Sequence, residues 1–204
     1  MVSCVTRIVG LVLLALAMSL SLASAASNDK ILTEFGKSRP PIGYVMFCKR
    51  GAEECKDIGG KIERLALTDE AWNNINQVNT FVNASIKPAN DVDLYHVEEY
   101  WTYPTTAGDC EDYVLLKKRL LTKLGFNPDE LLITVLLDEH GEGHAVLSVL
   151  TQNADLILDN RRDEIMTANQ THYQFLKRQS QLDPKQWVSL RKIDTQVLVS
   201  SQSH

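Results

Sequence analysis

Gly108-Asp109-Cys110-Glu111-Asp112, continued by Tyr113-Val114-Leu115-Leu116-Lys117-Lys118-Arg119-Leu120-Leu121-Thr122-Lys123-Leu124-Gly125, sets one cysteine among carboxylates at the point where a helix begins. The run after Asp112 is rich in helix formers, and Gly125 supplies the expected C-terminal stop. A cysteine in the first helical turn lies close to free backbone N–H groups and the positive end of the helix dipole. Both favour thiolate over thiol, so a lowered pKa is expected for Cys110. The same N–H groups can stabilise an oxyanion once the sulfur has attacked a carbonyl. Cys110 is the candidate nucleophile.

Downstream of this helix the pattern changes. Leu131–Leu137 and Ala145–Leu150 have strand length and several β-branched residues, and Gly141 and Gly143 between them make a hairpin. Asp155–Asp159 is a third short apolar run, and Gln186–Leu190 reads as a fourth. His144 begins the second strand and Asp159 ends the third, so an antiparallel meander lays them side by side. A helix bearing Cys110 packed across that sheet completes a cysteine, a base and a base-orienting carboxylate. The competing reading makes His144 a turn residue beside glycines and Asp159 a turn cap.

Upstream, Trp72, Ile75, Val78, Val82 and Ile86 recur every three or four positions, the stripe of an amphipathic helix from Asp69 to about Ile86 with Thr68 as N-cap. Lys87 to Asp93, with a proline and two aspartates, breaks it. The segment before position 68 contains Pro40-Pro41, Gly43 and Gly59-Gly60 and reads as irregular, with a short strand at Tyr44–Phe47. The class predicted is α+β, helical first and strand-rich later.

Arg7 followed by the apolar run Ile8–Leu22 and by Ala23-Ser24-Ala25 has the layout of a signal peptide, residues 1–25, cleaved after Ala25. A transmembrane anchor is the alternative, but the stretch is short and Ser27, Asn28, Asp29 and Lys30 follow directly. Cys4 leaves with the leader. Residues 26–204 are then a single exported domain in a compartment that permits disulfides, periplasmic or secreted. Cys48 and Cys55 bracket a short polar loop and form the natural pair, leaving Cys110 free; the alternative joins Cys110 to one of them.

Three of these segments match a known pattern. Gly108–Tyr113 with Leu116-Lys117 and Leu124-Gly125, then Gly143-His144-Ala145-Val146-Leu147, then Leu156–Asn160, together resemble the bacterial transglutaminase-like cysteine proteinases, the LapG-type periplasmic proteases among them. The resemblance continues upstream through Val78-Asn79, Asp91 and Tyr95–Trp101, and so covers roughly Trp72 to Asn160. It implies a transglutaminase-like or papain-like α+β fold, with the nucleophile helix on an antiparallel sheet. It assigns Cys110 as nucleophile, His144 as general base and acid, and Asp159 as the orienting carboxylate, with the Cys110 backbone N–H in the oxyanion site. It also implies Ca²⁺ beside the nucleophile, at Asp91, Asp109, Glu111 and Asp112, a donor set suited to a hard cation. Helix capping is the other role open to these carboxylates. This chain departs from the pattern in two places. Its Trp101–Gly108 segment is shorter, and Cys48–Cys55 is an additional pair.

The function expected is that of an exported cysteine endopeptidase acting as a monomer on a cell-surface or periplasmic protein, by resemblance a large adhesin whose release governs biofilm attachment. An inner-membrane receptor that sequesters the enzyme is implied as a partner. Transglutaminase or amidase chemistry on the same fold, and an inactive binding module, are the alternatives. With 21 Lys and Arg scattered among 26 Asp and Glu, the chain has no basic stripe for nucleic acid. His96, His140 and His172 lack zinc-like spacing with cysteine, and Trp72, Trp101 and Trp187 are expected in the core or a groove wall.

Overall fold

The computed structural model describes residues 30–56 and 59–192. The leader, its cleavage site, Cys4 and His204 lie outside the described residues. In chain order the elements are β1 (Lys37–Ser38), α1 (Ile42–Lys49), α2 (Asp69–Ser85), β2 (Lys87–Pro88), α3 (Asp91–Tyr95), β3 (Ala107–Gly108), α4 (Cys110–Lys123), β4 (Leu131–Leu137), β5 (Gly143–Leu150), β6 (Asp155–Leu158), β7 (Met166–Thr167), β8 (Gln174–Gln179) and β9 (Trp187–Ser189).

Seven strands form one sheet in the order β1-β9-β8-β4-β5-β6-β7, antiparallel throughout. The expected meander is present: Leu136 pairs with His144 across the hairpin, and Leu147 pairs with Leu158 across the next turn. Alternation sends Ala145, Leu147 and Val149 toward the helices and Val146 to the opposite face, and the two faces feed two separate apolar clusters. The larger cluster joins α1, α2 and α4 to the sheet through Tyr44, Phe47, Ile75, Val82, Tyr113, Leu115 and Leu121.

The helices follow from local chemistry. Thr68 caps α2 by accepting the Ala71 N–H, as its position predicts. Ile75, Val78, Val82 and Ile86 are buried, whereas Trp72, placed in the same stripe by its spacing, is 37% exposed because the first turn of α2 overhangs the core. Gly125 adopts φ +96° just after α4, the left-handed stop that a residue with a side chain resists.

One expectation fails. Tyr44–Phe47 is not a strand but lies within α1: Pro41 sits at the N-cap with φ −58°, and the i, i+3 spacing of Tyr44 and Phe47 turns both rings into the core. The expected break after α2 is present, the helix ending at Ser85. Lys87-Pro88 pairs in parallel with Ala107-Gly108, and Asp91 opens the short α3. The Cys48–Cys55 disulfide is formed and Cys110 is free. On the chain-entropy model so small a loop contributes roughly 2.5 kcal/mol.

Helix α4 is held between the sheet and α2, so even its charged side chains are inside: Glu111, Asp112, Lys117 and Lys118 are all buried. The two lysines differ. Lys118 Nζ donates to the carbonyls of Pro128 and Leu131 and to Gln179 Oε1, whereas Lys117 Nζ has no partner. Burial pushes Lys117 down to about 7, the charges of Asp159 and Asp163 opposing it, and Lys118 down to about 8.

Replacing Lys118 by Met should therefore remove one donor from each of the Pro128 and Leu131 carbonyls and Gln179 Oε1, of which Gln179 Oε1 keeps the Ile133 N–H, and cost about 2 kcal/mol in urea denaturation. Lys117→Met should stabilise by about 2 kcal/mol at pH 7. The folded-state pKa of Lys117 is depressed, so folding must shed or bury its proton between about 7 and the unfolded value of 10.5. Its cost is full below that window and vanishes above it, and the advantage of Met should fade correspondingly as pH rises.

Candidate active site

The β5–β6 register places the first two site residues. Leu147 opposite Leu158 puts Asp159, one residue further, opposite Val146 and diagonal to His144 on the same face. There His144 Nε2 lies 2.9 Å from Asp159 Oδ1, with both side chains buried. Asp159 also accepts the Arg161 backbone N–H on Oδ1 at 3.0 Å and the Tyr173 hydroxyl on Oδ2 at 2.6 Å. Burial alone would raise its pKa, but the bonds from His144, Tyr173 and Arg161 outweigh it and hold Asp159 well below the usual carboxylate range. An ionised carboxylate only accepts, so Nε2 carries a proton toward Asp159, and Nδ1 is buried without a partner.

Cys110 arrives from the other side. It is the first residue of α4, which packs on β5, the strand that His144 enters at its start. The thiol itself bonds to Glu111 Oε2 at 3.2 Å, and no hydrogen bond joins it to His144. The lowered pKa expected from the helix terminus is not what the surroundings produce. Burial first, then the charge and hydrogen bond of Glu111, push the Cys110 thiol up, and the Ala145 N–H only partly offsets them. In this arrangement the sulfur keeps its proton.

The acidic residues around it form a cluster. Oxygens of Asp91, Asp109 and Glu111 lie within 4.8 Å of one another. Asp112 stands apart from these three: its Oδ1 takes the Thr102 backbone N–H at 2.8 Å. Asp109 occupies the N-cap position of α4, yet its side chain makes no capping bond. Asp91 Oδ1, Asp109 Oδ1 and Asp112 Oδ2 are buried without partners. Burial and then the charge of Glu111 push Asp109 up to about 8; burial, opposed by the Thr102 N–H, pushes Asp112 up to about 8 as well. Three buried or half-buried carboxylates brought within coordination distance, two of them with an unpartnered oxygen, offer hard oxygen donors, so the donor set fits Ca²⁺.

The loop above the cluster is pinned from the disulfide side. Arg50, inside the Cys48–Cys55 loop, donates to the Trp101 carbonyl at 2.5 Å and stacks over Tyr100, 4.3 Å from its ring centre. Tyr100 N–H bonds to Asp91 Oδ2, so the disulfide loop, the aromatic block and the acidic cluster are joined in series. Sequence reasoning singled out neither Arg50 nor Tyr173. Their roles depend on contacts across 51 and 14 residues that carry no local motif. A cavity of about 560 Å³ beside the C-terminal half of α4 is lined by Tyr103, Arg119 and Asp129 among others, and by none of the site residues.

Residues 34–195 match the model of a family described as bacterial transglutaminase-like cysteine proteinase BTLCP. Among solved structures, LapG of Legionella pneumophila is similar in three forms. The EGTA-treated form shares 27% identity over 52% of this chain and 62% of its own, with a TM-score of 0.47. Another shares 25% over 62% and 72%, at 0.50, and the calcium-bound form 22% over 65% and 80%, at 0.51. This chain thus spans less than two thirds of the first of them. A comparison with curated proteins finds no match.

The packing around Asp112 gives a direct check on the geometry. A Cβ at Gly108 would lie 2.5 Å from Asp112 Oδ2 and 2.8 Å from its Cβ, so Gly108→Ala must displace the first turn of α4. It should destabilise by about 2 kcal/mol and slow alkylation of Cys110. Gly143→Ala, with nothing within 4 Å, should change stability by less than about 0.5 kcal/mol in the same melts.

Proposed function

The chain belongs to the bacterial transglutaminase-like cysteine proteinases, and from that premise we propose that it is an exported endopeptidase in which Cys110, His144 and Asp159 form the catalytic triad. The observation that carries the reading is the buried His144–Asp159 bond of 2.9 Å, which leaves Nδ1 unpartnered on β5, the strand against which the Cys110 helix packs. Rotation about the Cys110 side chain exchanges Glu111 for His144 as proton acceptor. Sγ then attacks the peptide carbonyl carbon while its proton passes to His144 Nδ1. Backbone N–H groups at the start of α4, that of Cys110 included, face the oxyanion. His144 returns the proton to the leaving amine, leaving a thioester; it next deprotonates water, whose attack releases the acid and regenerates the thiol.

Asp91, Asp109 and Glu111 would hold a calcium ion, with Asp112 flanking them. Its positive charge would offset the carboxylates that hold the thiol protonated. Similarity to a calcium-bound LapG supports this choice of ion. The substrate class proposed is a cell-surface or periplasmic protein such as a large adhesin, whose release would govern biofilm attachment. An inner-membrane receptor that sequesters the enzyme is the proposed regulator. The leader motif at residues 1–25 supports export to the periplasm or beyond.

Two experiments test the reading. Iodoacetamide should label Cys110 selectively in the wild type and at least about tenfold more slowly in His144→Ala, and Cys110→Ala should abolish proteolysis with its melting temperature nearly unchanged. Equal labelling of wild type and His144→Ala would remove the base from its role. In calorimetry, saturating calcium should raise the melting temperature by about 5 °C over an EGTA-treated sample, and Glu111→Gln should suppress the response. A melting temperature indifferent to chelation would leave the carboxylates a structural role only.

A further inference from the structure

Asp159 is fixed by more than the histidine it serves. Tyr173, buried on the same face of the sheet, meets the His144 ring edge-on at 6.2 Å between centres, and its hydroxyl lies 2.6 Å from Asp159 Oδ2. Arg162 stacks over the Tyr173 ring, 5.4 Å from its centre, and its Nη2 donates to the same hydroxyl at 2.9 Å. A guanidinium cannot accept a hydrogen bond, so the phenol oxygen receives from Arg162 and its single proton is committed to Asp159. With Oδ2 occupied in this way, Oδ1 is left for His144 Nε2 and the Arg161 backbone N–H. The main chain of the same residue is gripped from α2: Asn83 Nδ2 donates to the Asp159 carbonyl at 3.0 Å and to that of Arg162 at 3.1 Å.

We infer that Arg162 and Tyr173 are positioning residues, a one-way donor chain that locks the Asp159 carboxylate and thereby holds His144 in the tautomer whose Nδ1 is free to act as base. This rests on the proposed cysteine–histidine–aspartate triad and extends it to two side chains that touch neither substrate nor sulfur. The direction of the chain is set at its outer end, where Arg162 can only give. Without the phenol proton, Asp159 Oδ2 loses its short bond, and the carboxylate is free to turn away from Nε2, which then lacks the fixed acceptor that selects its tautomer. His172, in the left-handed conformation at φ 58°, delivers Tyr173 to this spot from a turn that a non-glycine residue enters only under constraint.

The test uses the calcium-containing protein and nitrogen-15 NMR of the His144 ring, with the iodoacetamide rate of Cys110 measured in parallel. Wild type should show the Nε2-protonated tautomer alone. Tyr173→Phe keeps the ring and its packing. It should show both tautomers and alkylate about tenfold more slowly, with a melting temperature within a few degrees of wild type. Arg162→Met, which leaves the phenol in place, should give the same redistribution to a smaller extent. A single Nε2-protonated tautomer and a wild-type alkylation rate in Tyr173→Phe would overturn the inference while leaving the triad standing. If instead His144→Ala alkylates as fast as wild type, the triad itself fails, and the inference with it.

Discussion

The register of β5 on β6 is the constraint on which the site depends. Because side chains alternate along a strand, a slip of one residue would carry Asp159 to the helix-facing side of the sheet, away from His144. The slip is suppressed by packing on both faces. Leu147, Val149, Leu156 and Leu158 belong to one core, and Val146 and Ile157 to the other, so any shift exchanges two complete apolar sets. Further in from the strand end, Thr134 and Ser148 share a buried 2.7 Å hydrogen bond that only the observed pairing of β4 with β5 permits. The His144–Asp159 geometry is inherited from the core rather than built by the loops around it.

Against that floor, α4 concentrates buried charge. Its first turn holds Glu111 and Asp112 beside Cys110, and its middle holds Lys117 and Lys118. Hydrophobic residues at these positions would give a more stable helix, so the charges stand as a conflict between local stability and use. The conflict is resolved unevenly. Lys118 is fully bonded and ties α4 to the start of β4, whereas the acidic turn keeps orphaned oxygens and suppressed ionisation where a cation is proposed to bind.

The parts legible in the sequence were those with short periods or local motifs. The helix of Cys110 and its glycine stop, the Thr68 cap, the hairpin, the third strand and the Cys48–Cys55 pair all follow from spacing within about ten residues. β8 was missed because Gln174-Phe175-Leu176-Lys177-Arg178-Gln179 reads as polar although it pairs on both sides. Arg178 is buried there only because Asp155 and Glu34 neutralise it, partners 23 and 144 residues away. α1 was misread for a related reason: Tyr44 and Phe47 suit a strand as well as a helix, and only the packing of Tyr44 against Trp101 and Trp187 decides. In the site, the carboxylates were foreseeable by type. The hold of Glu111 on the thiol was not, since helix-dipole reasoning ignores the side chain next to it and the burial of both.

The series from the Cys48–Cys55 loop through Arg50 and the Trp101 carbonyl to Tyr100 and Asp91 has a consequence for when the enzyme becomes competent. In a reducing compartment the Cys48–Cys55 pair would open. Arg50 would then ride on an open loop, its hold on the aromatic block would slacken, and the acidic turn would keep the thiol protonated. Under the proposed function, oxidation of the Cys48–Cys55 pair and binding of a cation would act on the same acidic turn from two directions, one through the aromatic block and one through the carboxylates themselves.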